Sequence, residues 1–178
     1  MATNRLKIIA ISGSLRDGST NHAILNFIKT LCPDTIEYVI YNRLRNIPPF
    51  DPGLDNDNPP DEVVDLRQLL TMAGAVLICT PEYAFGVPGS LKNALDWLVS
   101  SSTLVDKPVA LITASSVGHN AHASLLLTLG ALSANVVEGA ALCIPYIRSK
   151  MDNDGNVTDK ETEEHITACF NALLTSIS

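Results

Sequence analysis

Short unbroken apolar runs alternate along this chain with stretches whose apolar positions recur at helical spacing. Residues 6–12 (LKIIAIS) form the first run and stop at Gly13, the pattern of a strand buried on both faces. Ile24, Phe27, Ile28 and Leu31 then share one face of a predicted helix that begins at Thr20 and halts before Pro33. Residues 35–41 (TIEYVIY) are β-branched and aromatic and predict a second strand. Pro, Asp and Asn crowd the following RNIPPFDPGLDNDNPPD, which reads as a surface loop. Residues 61–72 return to helical spacing, and 75–80 (AVLICT) predict a third buried strand, closed by Pro81. A helix over 90–99 with Ser90 as its cap, a strand over 108–113, a helix over 121–132 and a strand over 140–144 continue the alternation. Thr158-Asp-Lys-Glu161 matches a capping box, opening a last helix with Ile166, Cys169, Phe170, Leu173 and Ile177 on one stripe.

Five such strands alternating with helices predict an α/β fold, a three-layer doubly wound parallel sheet. One domain over residues 1–178 suits the flavodoxin-like strand order 2-1-3-4-5 better than a longer six-stranded dinucleotide fold. Ligands of such sheets bind where the winding reverses, at the carboxyl ends of strands 1 and 3.

Composition narrows the ligand. Twelve Lys and Arg against nineteen Asp and Glu give a formal charge of −7, which disfavours nucleic acid and requires a strong local site for any anion. Cys32, Cys79, Cys143 and Cys169 are far apart and form no metal or dithiol motif, so they read as buried small hydrophobes of a reducing cytoplasm. Neither a secretory signal nor a membrane-length apolar run is visible.

At the end of strand 1, ISGSLRDGSTN contains G-x-x-x-x-G-S-T, a nucleotide P-loop in which Ser19 replaces the lysine. Without that lysine or a Walker-B-type aspartate, ATP hydrolysis has no electrostatic basis. Ser14, Arg16, Ser19, Thr20 and Asn21 still gather hydroxyls, amides and one guanidinium at a helix start, a set suited to a phosphate monoester that needs no metal. The plain alternative is a turn capped by Ser19. After strand 3, residues 80–97 (TPEYAFGVPGSLKNALDW) present Gly- and Pro-fixed backbone beside a tyrosine and a phenylalanine, which suits a flat heteroaromatic. Here the plain alternative is a surface loop whose aromatics merely pack.

Together, G-S-L-R-x-G-S-x-N and P-E-Y-x-x-G-x-P-G-x-L-K-N-A-L-D-W resemble the NADPH-dependent FMN reductases, flavodoxin-like quinone, azo-dye and chromate reductases, over essentially the whole chain. The resemblance implies FMN as cofactor and NADPH or NADH as hydride donor. It implies that Ser14, Arg16, Ser19, Thr20 and Asn21 hold the phosphate and ribityl chain. Pro81, Glu82, Tyr83, Ala84 and Gly86 would border the isoalloxazine, with Ser115 and Gly118 of a third loop beside it. Many relatives carry asparagine after P-E-Y, where this chain has Ala84 and the bulky Phe85, which removes a polar contact and makes the acceptor pocket more apolar. The implied partners are a small-molecule electron acceptor and further copies of the chain, as a homodimer or homotetramer.

No catalytic side chain is expected, because flavin chemistry needs no protein acid–base pair. His119 and His122 read H-x-x-H at a helix start but lack further ligands, so rim positions are expected and no metal. A flavodoxin-type electron carrier without nicotinamide activity is the alternative function, and Arg16 argues against it, since flavodoxins usually hold phosphate without an arginine.

Overall fold

Buried on both faces, the apolar runs become the strands of one parallel sheet in the computed structural model, which describes residues 5–178. Strands β1 (Leu6–Ser12), β2 (Ile36–Tyr41), β3 (Ala75–Thr80), β4 (Pro108–Ala114) and β5 (Asn135–Ile144) take the order β2-β1-β3-β4-β5. The helices are α1 (Thr20–Leu31), α2 (Asp61–Thr71), α3 (Gly89–Asp96), α4 (His119–Ala131) and α5 (Lys160–Thr175). This is the flavodoxin-like order expected from the alternation.

Period-two side-chain alternation divides the core into two halves. Ile9, Ile11, Val76, Ile78, Val109 and Leu111 face α2, α3 and α4. Their neighbours Ile8, Ala10, Leu77, Ala110 and Ile112 face α1 and α5, where Ile24, Ile28, Ile166 and Phe170 pack. Every residue of β3 is buried, as its continuous apolar run requires.

Three local expectations are corrected. β5 starts at Asn135 rather than Ala140, because its first half is a partly exposed edge whose polar Asn135 and Glu138 break the apolar signal. Its register against β4 also shifts between Val109 and Leu111, and Gly139 takes a positive φ of 80°. The last helix is capped by Asp159, not Thr158, since the Asp159 carboxylate accepts from the Thr162 amide at 3.0 Å. Pro88, not Ser90, precedes the first turn of α3, with no side-chain cap.

The Pro-rich loop before α2 is fastened to α3 by the polar end of L-K-N-A-L-D-W. The Asn93 side chain accepts from the Phe50 amide at 2.7 Å and donates to the Pro48 carbonyl at 2.9 Å. Trp97 is fully buried, donates its indole N–H to Pro48 at 2.8 Å and meets Phe50 edge-on at 5.0 Å. Asn93 and Trp97 of the motif thus hold the fold.

Candidate functional site

β1, β3 and β4 end at one level. Ser12 pairs with Cys79 and Thr80 with Thr113, so the three following loops rise side by side. The first is drawn against the second by Gly13, whose amide donates to the Cys79 carbonyl at 2.8 Å. A Cβ at Gly13 would stand 2.2 Å from the Thr80 hydroxyl oxygen and 2.7 Å from its Cβ, so only glycine permits this approach.

Between Gly13 and α1 the chain closes on its own serines. The Ser14 amide donates to Ser12 Oγ at 3.3 Å, the Arg16 amide to Ser14 Oγ at 3.3 Å, and the His22 amide to Ser19 Oγ at 3.2 Å. Ser19 is thus the N-cap of α1, as one reading of the sequence had it. Capping does not exhaust the loop, however. Among the described residues the amides of Gly18, Thr20 and Asn21 donate to no protein acceptor, and they sit at the positive end of the α1 dipole. The Asn21 side chain is committed elsewhere: it is buried and donates to the Ala114 carbonyl at 2.9 Å, pinning the start of α1 to the end of β4.

The second loop is a tight turn in which Tyr83 and Gly86 exchange both backbone hydrogen bonds, at 3.0 and 2.9 Å. Ala84 and Phe85 between them take φ of 49° and 60°, the left-handed pair of a type I′ turn. The turn lifts the half-exposed Tyr83 over the first loop, its hydroxyl 3.5 Å from Ser14 Oγ. Glu82 points back into the protein. Its amide donates to Ser115 Oγ at 3.2 Å, and its carboxylate accepts from the Ala121 amide at 2.9 Å, in the first turn of α4.

One cavity of about 660 Å³ lies between these loops. Ser14, Arg16, Ser19, Thr20 and Asn21 wall one side, and Pro81, Glu82 and Tyr83 another, with Ser115 between them. Ala84, Gly86 and Gly118 stand outside the wall and shape it. The first two make the Tyr83 turn, and Gly118, at a φ of 95°, leads into α4 where a Cβ would press on Thr113 and Cys143. Sequence reasoning passed over a fourth side of the cavity, formed by Tyr146, Arg148 and Ser149 after β5. That segment is stitched to the third loop by bonds from the Tyr146 amide to Ser116 and from the Ile147 amide to Ser115, each 3.2 Å.

The histidines of H-x-x-H have separate partners. His122 Nδ1 lies 3.0 Å from the Thr113 hydroxyl, and His119 Nδ1 lies 3.7 Å from Cys143 Sγ. Burial, helped by His119, lowers the His122 pKa and keeps the ring neutral. Burial and then the Glu82 carboxylate raise that of Cys143, so its thiol stays protonated. Among the described residues no cluster of three or more His, Cys, Asp or Glu is placed to hold a metal, and no helix is long and apolar enough to cross a membrane.

The donor set fits a phosphate ester carrying a flat ring. Free amides at a helix start, small hydroxyls and the Arg16 guanidinium suit the anion. A tyrosine wall beside Pro81 suits the ring, and the volume lies within the ~300–1,000 Å³ of small-molecule sites.

Comparison with known proteins points the same way. Residues 6–148 match the family of NADPH-dependent FMN reductases. The chain is 33% identical over 181 residues to a quinone reductase of Escherichia coli, covering 96% of this chain and 95% of that one. It is 30% identical over 173 residues to an NAD(P)H-dependent FMN reductase of Pseudomonas aeruginosa, covering 94% and 93% of the two chains. The solved structure of FerB, a flavoenzyme NAD(P)H:(acceptor) oxidoreductase from Paracoccus denitrificans, superposes with a TM-score of 0.81 at 27% identity over 97% of each chain.

Proposed function

The chain belongs to the NADPH-dependent FMN reductase family, and within it we propose a division of the cavity into a phosphate end and a ring end. It is an FMN-dependent NAD(P)H oxidoreductase. FMN, when bound, supplies acceptance of hydride from the nicotinamide and its delivery to an acceptor.

The protein's own contribution is placement. Arg16, the hydroxyls of Ser14, Ser19 and Thr20 and the free amides at the start of α1 hold the phosphate. Asn21 acts from behind, by tying α1 to Ala114. Pro81 and Tyr83 border the ring, on a turn whose shape Ala84 and Gly86 set. Glu82 and Ser115 lock that turn to the third loop, which Gly118 carries into α4. No side chain of the cavity moves a proton. The face beyond Tyr83 admits the donor and then the acceptor at one place, and apolar Phe85, 76% exposed on the same turn as Tyr83, favours aromatic acceptors of the quinone class. The observation that carries this reading is the meeting of an anion cradle and an aromatic wall on one cavity at the reversal of the winding.

A homo-oligomer in the cytoplasm completes the proposal. Exposed Tyr83 and Tyr146 line the cavity, and exposed Phe85 and Val117 follow its lining residues Tyr83 and Ser116 in the chain, an apolar set that a second copy would shield. The purified protein, reconstituted with FMN, is expected to show a flavin spectrum that NADPH or NADH bleaches without oxygen and a quinone restores. Failure to take up FMN would overturn the reading; bound FMN that neither nicotinamide reduces would make the protein a flavodoxin-type carrier.

A further inference from the structure

Acidic residues outnumber basic ones in this chain, and among the described residues seven of its twelve Lys and Arg side chains pair with carboxylates. Arg43 pairs with Asp65, Arg45 with Asp17 and Arg67 with Asp55. Arg16 and Arg148 pair with no carboxylate among the described residues, and both open onto the same cavity. Two unneutralised guanidiniums on one cavity of an acidic protein mark a place kept for an anion from outside.

Arg148 is held there by a firm base. Ile147 before it is buried, 2% exposed, with its amide on the Ser115 carbonyl. Lys150 after it receives the Thr158 amide at 2.9 Å, and its ammonium reaches the Thr162 hydroxyl at 3.0 Å and Asp159 at 3.7 Å. Tyr146, which turns the chain into the cavity, does so at a φ of 55°, a left-handed conformation unusual for a residue with a side chain. Asn21 binds the start of α1 to Ala114, while Ser115 and Ser116 bind the 146–147 segment, so Arg148 and the free amides of α1 flank one space.

We propose that Arg148 is a second phosphate-binding guanidinium of this cavity, facing the same pool of phosphate esters as Arg16. The inference rests on the reading of the cavity as an FMN site. The shared chemistry is a phosphate dianion, from the FMN 5′-phosphate or from a phosphate of the nicotinamide donor.

The test uses Arg148→Met, which keeps the stem and removes the charge, with Arg148→Lys as the conservative partner; Arg148 is exposed, and circular dichroism checks the fold. Affinities for FMN and for riboflavin, which lacks the phosphate, are read by quenching of flavin fluorescence, and KM is measured for NADPH and NADH. Weakening of FMN by about tenfold or more with riboflavin unchanged, partly restored by lysine, places Arg148 on the flavin phosphate. A raised KM for NADPH alone places it on the 2′-phosphate of the donor, and an equal rise for both nicotinamides on the pyrophosphate. Equal loss of FMN and riboflavin, or no change in any of the four, overturns the proposal. Wild-type protein that takes up no FMN overturns instead the reading beneath it, before any variant is made.

Discussion

Between Gly13 and Ser19 the backbone takes its positive φ at a glycine, Gly18, whereas the turn after β3 takes two at residues with side chains, Ala84 and Phe85. The hydrogen bonding is reversed as well. In the first loop the amides of Gly18, Thr20 and Asn21 are free among the described residues; in the second, those of Glu82, Tyr83 and Gly86 are all engaged within the protein. One loop is relaxed and keeps its donors for a ligand, so it carries affinity. The other keeps the donors at its base for itself, leaving only the tip amides of Ala84 and Phe85 without an acceptor among the described residues, and sustains strain, so it carries shape. The two meet over one cavity and touch through the Gly13 amide on the Cys79 carbonyl and through Ser14 and Tyr83.

The sharpest way to test that division is Arg16→Ala. Arg16 is exposed and has no carboxylate partner among the described residues, so its loss should leave the melting temperature nearly unchanged. FMN binding should weaken by about 1.5–3 kcal/mol, the value of a charge-assisted hydrogen bond, while riboflavin binding holds. Equal loss of both flavins, by titration, would show that the first loop also shapes the ring site.

Gly13→Ala should break the separation. The new Cβ would meet Thr80, which is fully buried and cannot move aside, so the loops must part. Overpacking of this kind costs roughly 1–3 kcal/mol. At this chain length that lowers the melting temperature by ~2–4 °C per kcal/mol in a calorimetric scan. FMN and riboflavin should both weaken, because the phosphate end moves away from Tyr83. An unchanged melting temperature and flavin affinity would mean that the close approach at Gly13 is not needed.

Legibility in the sequence followed the same line. The strand order could be read because β1, β3 and β4 are buried on both faces and therefore unbroken in apolar character. The start of β5 could not, because an edge strand with Asn135, Glu138 and a positive-φ Gly139 carries no such signal. The first loop was legible because its chemistry lies in residue types packed into the eight positions 14–21, which run into the first turn of α1. The second was legible only as a place: nothing in P-E-Y-A-F-G says that Glu82 turns inward to cap α4, a fact fixed by the Ala121 amide thirty-nine residues later. Arg148 carried no motif at all; its position follows from how the chain leaves β5, in a segment, I-P-Y-I-R-S-K, with nothing to set it apart.

The smallest expected effect concerns Ala84, at a position where the family resemblance leads one to expect asparagine. The sequence suggested a lost polar contact. The structure offers a conformational reason, since position 84 has a φ of 49° and asparagine tolerates the left-handed region better than alanine. Ala84→Asn should therefore stabilise the protein by roughly 0.5 kcal/mol, a fraction of the ~1–2 kcal/mol that this conformation costs an ordinary residue. The gain would appear as a rise of about 1–2 °C in melting temperature. Because Ala84 lies outside the cavity wall, flavin affinity and the KM for a quinone acceptor should stay as they are. A shift in acceptor KM at constant melting temperature would restore the polar-contact explanation and make the turn after β3 a place of binding as well as of shape.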